Sequence, residues 1–154
     1  MSRAFVKESD DAPELPDRPV SSHANYVTKR GLTLIDEELS RYRAALADAQ
    51  TAEDRDAISA ASRELRYWTQ RRATAEPQPP PEDEAVVRFG SRVTFERDDG
   101  RRQTFQIVGE DEADPVKGTL SYVSPLAQAL LGKSVGDVLR AGSGGAEIVK
   151  IETR

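Results

Sequence analysis

The sequence predicts an α+β protein in which an N-terminal antiparallel two-helix coiled-coil hairpin precedes a C-terminal domain built as an antiparallel sheet with one short helix. Three observations predict this. Apolar positions in residues 28–75 recur at alternating three- and four-residue intervals and reflect across a single point. Residues 77–84 then interrupt regular structure with Pro77, Pro79, Pro80 and Pro81 beside Glu82, Asp83 and Glu84. From Val86 onward the apolar period falls to two, as in strands.

Residues 1–26 read as a mobile acidic tail. Pro13, Pro16 and Pro19 stand among Glu8, Asp10, Asp11, Glu14 and Asp17, with few apolar groups to bury. The only histidine, His23, falls here as a solvated side chain.

Residues 27–76 form the hairpin. Thr28 is the expected N-cap of a first helix running to about Gln50, a rod of about 33–36 Å. Its seam is Leu32, Ile35, Leu39, Tyr42, Leu46 and Ala49. The second seam, Ile58, Ala61, Leu65, Trp68, Arg72 and Ala75, is its mirror image across a point between Glu53 and Asp54. Two helices folded there meet layer by layer, with Trp68 opposite Leu39 and Tyr42 opposite Leu65. Arg72 would cover apolar surface with its stem and reach water or a carboxylate of the neighbouring domain with its head. Thr51 is the expected cap of the second helix, Asp54 completes a capping-box-like pair, and Glu76-Pro77 is the stop.

The tip is therefore acidic, with Glu53, Asp54 and Asp56. Acids in a first helical turn offset the positive end of the macrodipole. Two hard oxygen donors at the end of a rod also suit a magnesium site completed from elsewhere. Arg41 and Arg43 on the first helix, with Arg63, Arg66, Arg71 and Arg72 on the second, make a basic face. It reads either as a contact surface for RNA or as a solvated face interleaved with Glu37, Glu38 and Glu64.

After the linker at 77–84 comes the domain at 85–154. Val93 and Phe95, then Phe105 and Ile107, flank Asp98-Asp99-Gly100, a hairpin signal. A strand near Thr119–Val123 leads to Ser124-Pro125, an N-cap with proline at the first helical position, and a short helix stopped by Gly132. Two last strands, Val135–Arg140 and Ala146–Ile151, flank Gly142-Ser143-Gly144-Gly145. This reads as a hairpin turn, since no helix follows to make an anion cradle.

Composition narrows the function. Twenty-two basic against twenty-seven acidic residues give a formal charge of -5, which argues against coating nucleic acid by bulk electrostatics. The absence of cysteine excludes disulfides and thiolate metal sites, and one histidine leaves little for imidazole catalysis. No apolar run reaches the roughly 20 residues of a membrane span, so a cytoplasmic protein without membrane contact is expected.

Several strings resemble the GreA/GreB transcript cleavage factors. They are Val86-Val87-Arg88-Phe89-Gly90-Ser91-Arg92-Val93, Ile107-Val108-Gly109-Glu110-Asp111-Glu112-Ala113-Asp114, Ser124-Pro125-Leu126-Ala127-Gln128-Ala129-Leu130-Leu131-Gly132-Lys133 and Val135-Gly136-Asp137. Tyr26 to Leu32, followed by Glu37-Glu38-Leu39, is similar to the opening helix of that family's hairpin. The resemblance implies an FKBP-like fold for 85–154 and docking beside the secondary channel of bacterial RNA polymerase. Docking would fall on Val123, Ser124, Pro125, Leu126 and Ala127, with Asp111 and Asp114 in a neighbouring loop. It also implies a hairpin that enters the channel with a basic patch on its side and presents two acids three residues apart. There the acids help hold a second magnesium and position the water that cleaves backtracked RNA.

Glu53 and Asp56 keep that spacing with the acidic types exchanged. The family's following Asn and Tyr are replaced by Ala57-Ile58, and Val123 stands where some relatives carry an acid. The family's arms run two or more turns longer than the 25 residues from Thr28 to Glu53. Two missing turns would leave the tip roughly 10 Å short of the catalytic metal.

The resemblance thus implies a DNA-binding transcription elongation factor that is not itself an enzyme. RNA polymerase is the expected partner, nascent RNA is met indirectly, and there is no cofactor beyond magnesium shared with the polymerase, transiently at Glu53 and Asp56. Two alternatives stand beside cleavage stimulation: a short-armed regulator that occupies the channel without cleaving, and an FKBP-like prolyl isomerase using Phe89, Phe95, Phe105 and Tyr122. The sequence leaves oligomeric state open.

Overall fold

The computed structural model describes residues 15–154, which form two compact units. One comprises 15–21 with Asp36–Ala73; the other comprises Ser22–Ile35 with Thr74–Arg154. The architecture is α+β, as the sequence predicts: a helical hairpin and a sheet domain.

The hairpin is made by α1 (Lys29–Thr51), whose first residues belong to the second unit, and α2 (Arg55–Thr74). Leu39, Ala49, Ala61 and Trp68 are buried along the predicted seam, while Tyr42, Leu46, Ile58 and Leu65 are half-buried. One seam position is corrected. Arg71, 2% exposed, takes the place expected of Arg72, because the buried stripe steps three residues on from Trp68 rather than four. Arg72 is exposed and donates from Nε to Asp36 Oδ1 at 2.8 Å, so its head meets a carboxylate of the hairpin's own first helix instead of the expected one in the neighbouring domain.

The helix connection also differs from expectation. Thr51 closes α1 instead of capping α2, and its hydroxyl donates back to the Ala47 carbonyl at 3.0 Å. Glu53 then adopts a left-handed conformation, φ +53°. Its N–H donates to Gln50 O at 3.2 Å and the Asp54 N–H to Ala49 O at 3.1 Å, the paired bonds of a Schellman closure. Asp54 is the cap of α2: its carbonyl accepts from Ile58 N–H at 2.9 Å and its Oδ1 from Ala57 N–H at 3.1 Å.

In the second unit, β1 (Tyr26–Val27) pairs in parallel with β2 (Glu76–Pro77). The first residue of the expected linker is therefore in a strand, at an edge where the missing N–H of Pro77 costs no ladder bond. A five-stranded sheet follows: β3 (Arg92–Arg97), β4 (Arg102–Val108), β5 (Thr119–Ser121), β6 (Val138–Ala141) and β7 (Gly144–Glu152), in the order β5-β4-β3-β7-β6. The sheet is mixed rather than wholly antiparallel. Between β4 and β5 the chain crosses over through 109–118, which includes a 3-10 turn at Pro115–Lys117, and re-enters in the same direction.

The core sits beneath this sheet, where Val93, Phe95, Ile107 and Ile148 are fully buried with Ala127 and Leu130 of α3 (Pro125–Leu130). Strand β6 starts at Val138 rather than Val135 because Ser134–Asp137 form a turn. There Ser134 N–H donates to Asp137 Oδ2 at 2.7 Å, and Gly136 has φ +93°. The last hairpin turns on Gly142-Ser143 alone, leaving Gly144 and Gly145 inside β7.

Candidate functional site

Three surfaces carry the residues singled out by sequence. At the hairpin tip, Glu53, Asp54 and Asp56 are all exposed. They are not equivalent. Asp54 is committed to capping α2, and Asp56 lies in the first turn of that helix, where the amide dipoles favour a negative charge. Glu53 occupies the left-handed position, which for a non-glycine residue costs about 1–2 kcal/mol. Among the described residues no group of three or more His, Cys, Asp or Glu side chains is placed to hold a metal ion. The tip offers the carboxylates of Glu53 and Asp56, a fraction of a magnesium shell that needs about six oxygen donors.

The second surface is the Ser-Pro corner. Ser124 accepts from Ala127 N–H at 3.2 Å and Pro125 follows at the first helical position, which fixes the start of α3. Pro125 is exposed, Val123 and Ser124 are half-buried, and Leu126 packs against the core. Ala127 is fully buried. It and Leu130, three residues apart, form the inward face of α3, so Ala127 is removed from the expected contact set. Asp111 and Asp114 are half-buried in the crossover loop. That loop is shaped by its backbone: Asp114 N–H donates to Thr119 Oγ1 at 2.7 Å, and Asp114 O accepts from Thr119 N–H at 3.1 Å.

Two features of this unit escape sequence reading. Glu112, between the two aspartates, accepts a hydrogen bond from the Thr28 hydroxyl, and that hydroxyl caps α1 by accepting from Gly31 N–H at 3.0 Å. The N-cap at Thr28 is thus as predicted, and a carboxylate distant in sequence faces the same helix end. Gly109 allows the crossover to approach β1, since a Cβ there would lie 2.3 Å from the Tyr26 carbonyl. The glycine in Ile107-Val108-Gly109 was the available signal. Nearby, the rings of Tyr26, Phe89 and Tyr122 stand 5.4–6.0 Å apart, and Phe95 stacks on Phe105 at 6.0 Å. The aromatics considered as a proline pocket are packed on one another.

The third surface is the basic face. Arg41 and Arg43 are exposed, with the Arg41 guanidinium 5.3 Å from the Tyr42 ring and 3.7 Å from Glu38. Arg71 is buried and has partners, so it leaves the predicted face. Arg63 and Arg66 are taken up by the chain's own N-terminal segment. Arg63 Nε donates to Pro16 O and Arg66 Nε to Asp17 Oδ1, both at 2.7 Å. Arg18 reciprocates, 2.7 Å from Glu64 and 3.7 Å above the Tyr67 ring. The reading of 1–26 as mobile is corrected at these positions, because Asp17 and Arg18 match charges on α2 that composition alone does not reveal; residues 1–14 lie outside the described residues.

Residues 82–153 match the family described as transcription elongation factor, GreA/GreB, C-term. A transcription elongation factor GreB from Pasteurella multocida is 31% identical over 136 residues, 76% of this chain and 86% of the relative. A transcription elongation factor GreA from Geobacillus kaustophilus is 47% identical over 72 residues, 46% of each chain. The chain spans about half the length of the GreA relatives it matches. Among solved structures, GreA factor homolog 1 of Thermus thermophilus aligns with 84% of this chain and 99% of its own, at 25% identity and a TM-score of 0.41. No helix among the described residues is long and apolar enough to cross a membrane.

Proposed function

Because the chain belongs to the GreA/GreB family of transcription elongation factors, we propose that it docks on bacterial RNA polymerase at the secondary channel and modulates elongation there. The observation that carries this reading is the reach of the GreB alignment, 136 residues, too long for the sheet domain alone. Docking falls to the accessible part of the Ser-Pro corner, exposed Pro125 with half-buried Val123 and Ser124, and to Asp111 and Asp114 of the crossover loop. The hairpin is the channel-entering element. The protein is not itself an enzyme; its tip acts within the polymerase active site.

Glu53 and Asp56 are the tip carboxylates for that role, since Asp54 is spent on its helix cap. They would hold part of a magnesium shell completed by the polymerase, the ion supplying charge to polarise the cleaved phosphodiester. A second reading is favoured by arm length: α1 and α2 hold 23 and 20 residues, and such rods occupy the channel without bringing the tip to the metal. An isomerase role has less support, because Tyr26 packs against Phe89 and Tyr122.

One assay on stalled elongation complexes separates these. Shortening of backtracked RNA on addition of the protein, lost in the double variant Glu53→Ala, Asp56→Ala, establishes cleavage stimulation. Slower elongation without shortening, unchanged in that variant, establishes channel occupancy. Failure to bind the polymerase at all overturns both.

A further inference from the structure

Residues Leu15–Arg18 meet α2 with alternating chemistry. A backbone carbonyl at Pro16 meets the guanidinium of Arg63, a carboxylate at Asp17 meets Arg66, and a guanidinium at Arg18 meets Glu64 and the face of Tyr67. The Leu15 N–H adds a contact to Ser59 Oγ at 3.4 Å. Three successive residues each matched to its complement is the pattern of peptide recognition, with one chain as both ligand and receptor. We propose that this segment is an autoinhibitory strap: it occupies the Arg63, Glu64, Arg66 and Tyr67 face of α2, and a partner engages the hairpin only when the strap has left.

The segment is built to detach. Leu15, Pro16 and Asp17 are exposed, the Asp17 side chain at 73%. Contacts of this kind between solvated charges are individually weak and screened by salt. The partner that best replaces the strap is another protein segment rather than nucleic acid. Glu64 stands beside Arg63, its carboxylate 3.8 Å from that guanidinium, where it repels a phosphate and requires a cation. An extended segment presenting an acid followed by a base reproduces what Asp17 and Arg18 supply. That the partner is RNA polymerase rests on the function proposed above.

The chain has no cysteine, so a single engineered disulfide can lock the strap. The full chain carrying Leu15→Cys and Ser59→Cys is equilibrated with a glutathione buffer, and the disulfide's effective concentration is compared with that in a chain also carrying Asp17→Asn and Arg63→Gln. A docked strap raises it about tenfold or more; equal values overturn the inference without any polymerase present. Binding to RNA polymerase is then measured for the oxidised and reduced forms, with circular dichroism confirming equal helix content. The oxidised form should bind about tenfold or more weakly, and a full chain with Asp17→Asn and Arg18→Gln several-fold more tightly than the parent. If the disulfide forms as expected but both forms bind equally, the strap is not inhibitory and the inference falls while the proposed function stands. If neither the reduced form nor the Asp17→Asn, Arg18→Gln chain binds, the proposed function fails and takes the strap's regulatory role with it.

Discussion

At the hairpin tip the left-handed backbone position is held by Glu53, φ +53°, whereas in the turn between β3 and β4 it is held by Gly100, φ +85°. Both turns are acidic, and both join elements that the sequence pattern predicts. In the strand turn the acids serve the fold. Asp98 Oδ2 accepts from Gly145 N–H at 2.9 Å, and Asp99 accepts from both the backbone and the guanidinium of Arg101. Glycine supplies the left-handed residue there without steric cost. At the tip Asp54 caps α2 and Asp56 lies in its first turn, while at Glu53 glycine is absent where the backbone favours it. A strained residue of this kind points from strain to function: the tip keeps a carboxylate at some expense to stability.

The contrast can be broken from the strand side. Gly100→Ala gives the β3–β4 turn the same backbone burden as the tip. A Cβ there meets nothing within 4 Å, so the cost is conformational alone, about 1–2 kcal/mol by urea denaturation. A loss near zero would mean that the left-handed position is no burden in this chain, and the inference from Glu53 would go with it. Next in size is Asp54→Ala, which removes the side-chain acceptor for Ala57 N–H. Loss of an N-cap of this type costs about 1 kcal/mol. The same substitution at Asp56, which makes no cap, should cost less, and the order of the two midpoints tests the division of labour among the tip acids.

Glu53→Gly removes the strain directly and should stabilise the chain by up to about 1 kcal/mol, the relief being offset in part because glycine loosens the unfolded chain. A functional assay sharpens this result: a variant more stable than the parent yet weaker on elongation complexes would locate the value of Glu53 in its carboxylate.

How much of this was legible in the sequence depended on whether the deciding contact was local. The mirror pattern around Glu53 and Asp54 located the fold-back, because helical periodicity is carried by each residue's near neighbours. The Ser124-Pro125 cap and the Asp98-Asp99-Gly100 turn were readable for the same reason. The choice of Arg71 over Arg72 was not, since steps of three and four residues both return to one helix face and tertiary packing decides between them. The parallel pairing of β5 with β4 depends on the path of the crossover, which alternation cannot encode. Glu112 and Thr28 are 84 residues apart, and Asp17 and Arg66 are 49 apart. At such separations charge composition says that a pair is possible but not which one forms. The functional residues followed the same rule. Tip acids and the Ser-Pro corner were visible as motifs, while the burial of Ala127 and the pairing of Arg63 and Arg66 with Pro16 and Asp17 required the fold.

The smallest expected effect concerns Asp99 and returns to the strand turn. The Arg101 backbone N–H, and then its guanidinium, hold the Asp99 carboxyl below its ordinary value of 3.8 although the side chain is exposed. A carboxyl whose folded value is depressed stabilises the folded chain at pH above its unfolded value and loses that contribution as pH falls through the folded one. The difference in stability between the parent and Asp99→Asn should therefore be flat from neutral pH down to about 5 and shrink below about 4. Raising salt should reduce the guanidinium's part and leave the backbone part. A difference that stays constant through that interval would mean that the Arg101 donors do not act on the Asp99 carboxyl, and the fold-serving role of the acids in the strand turn would fail.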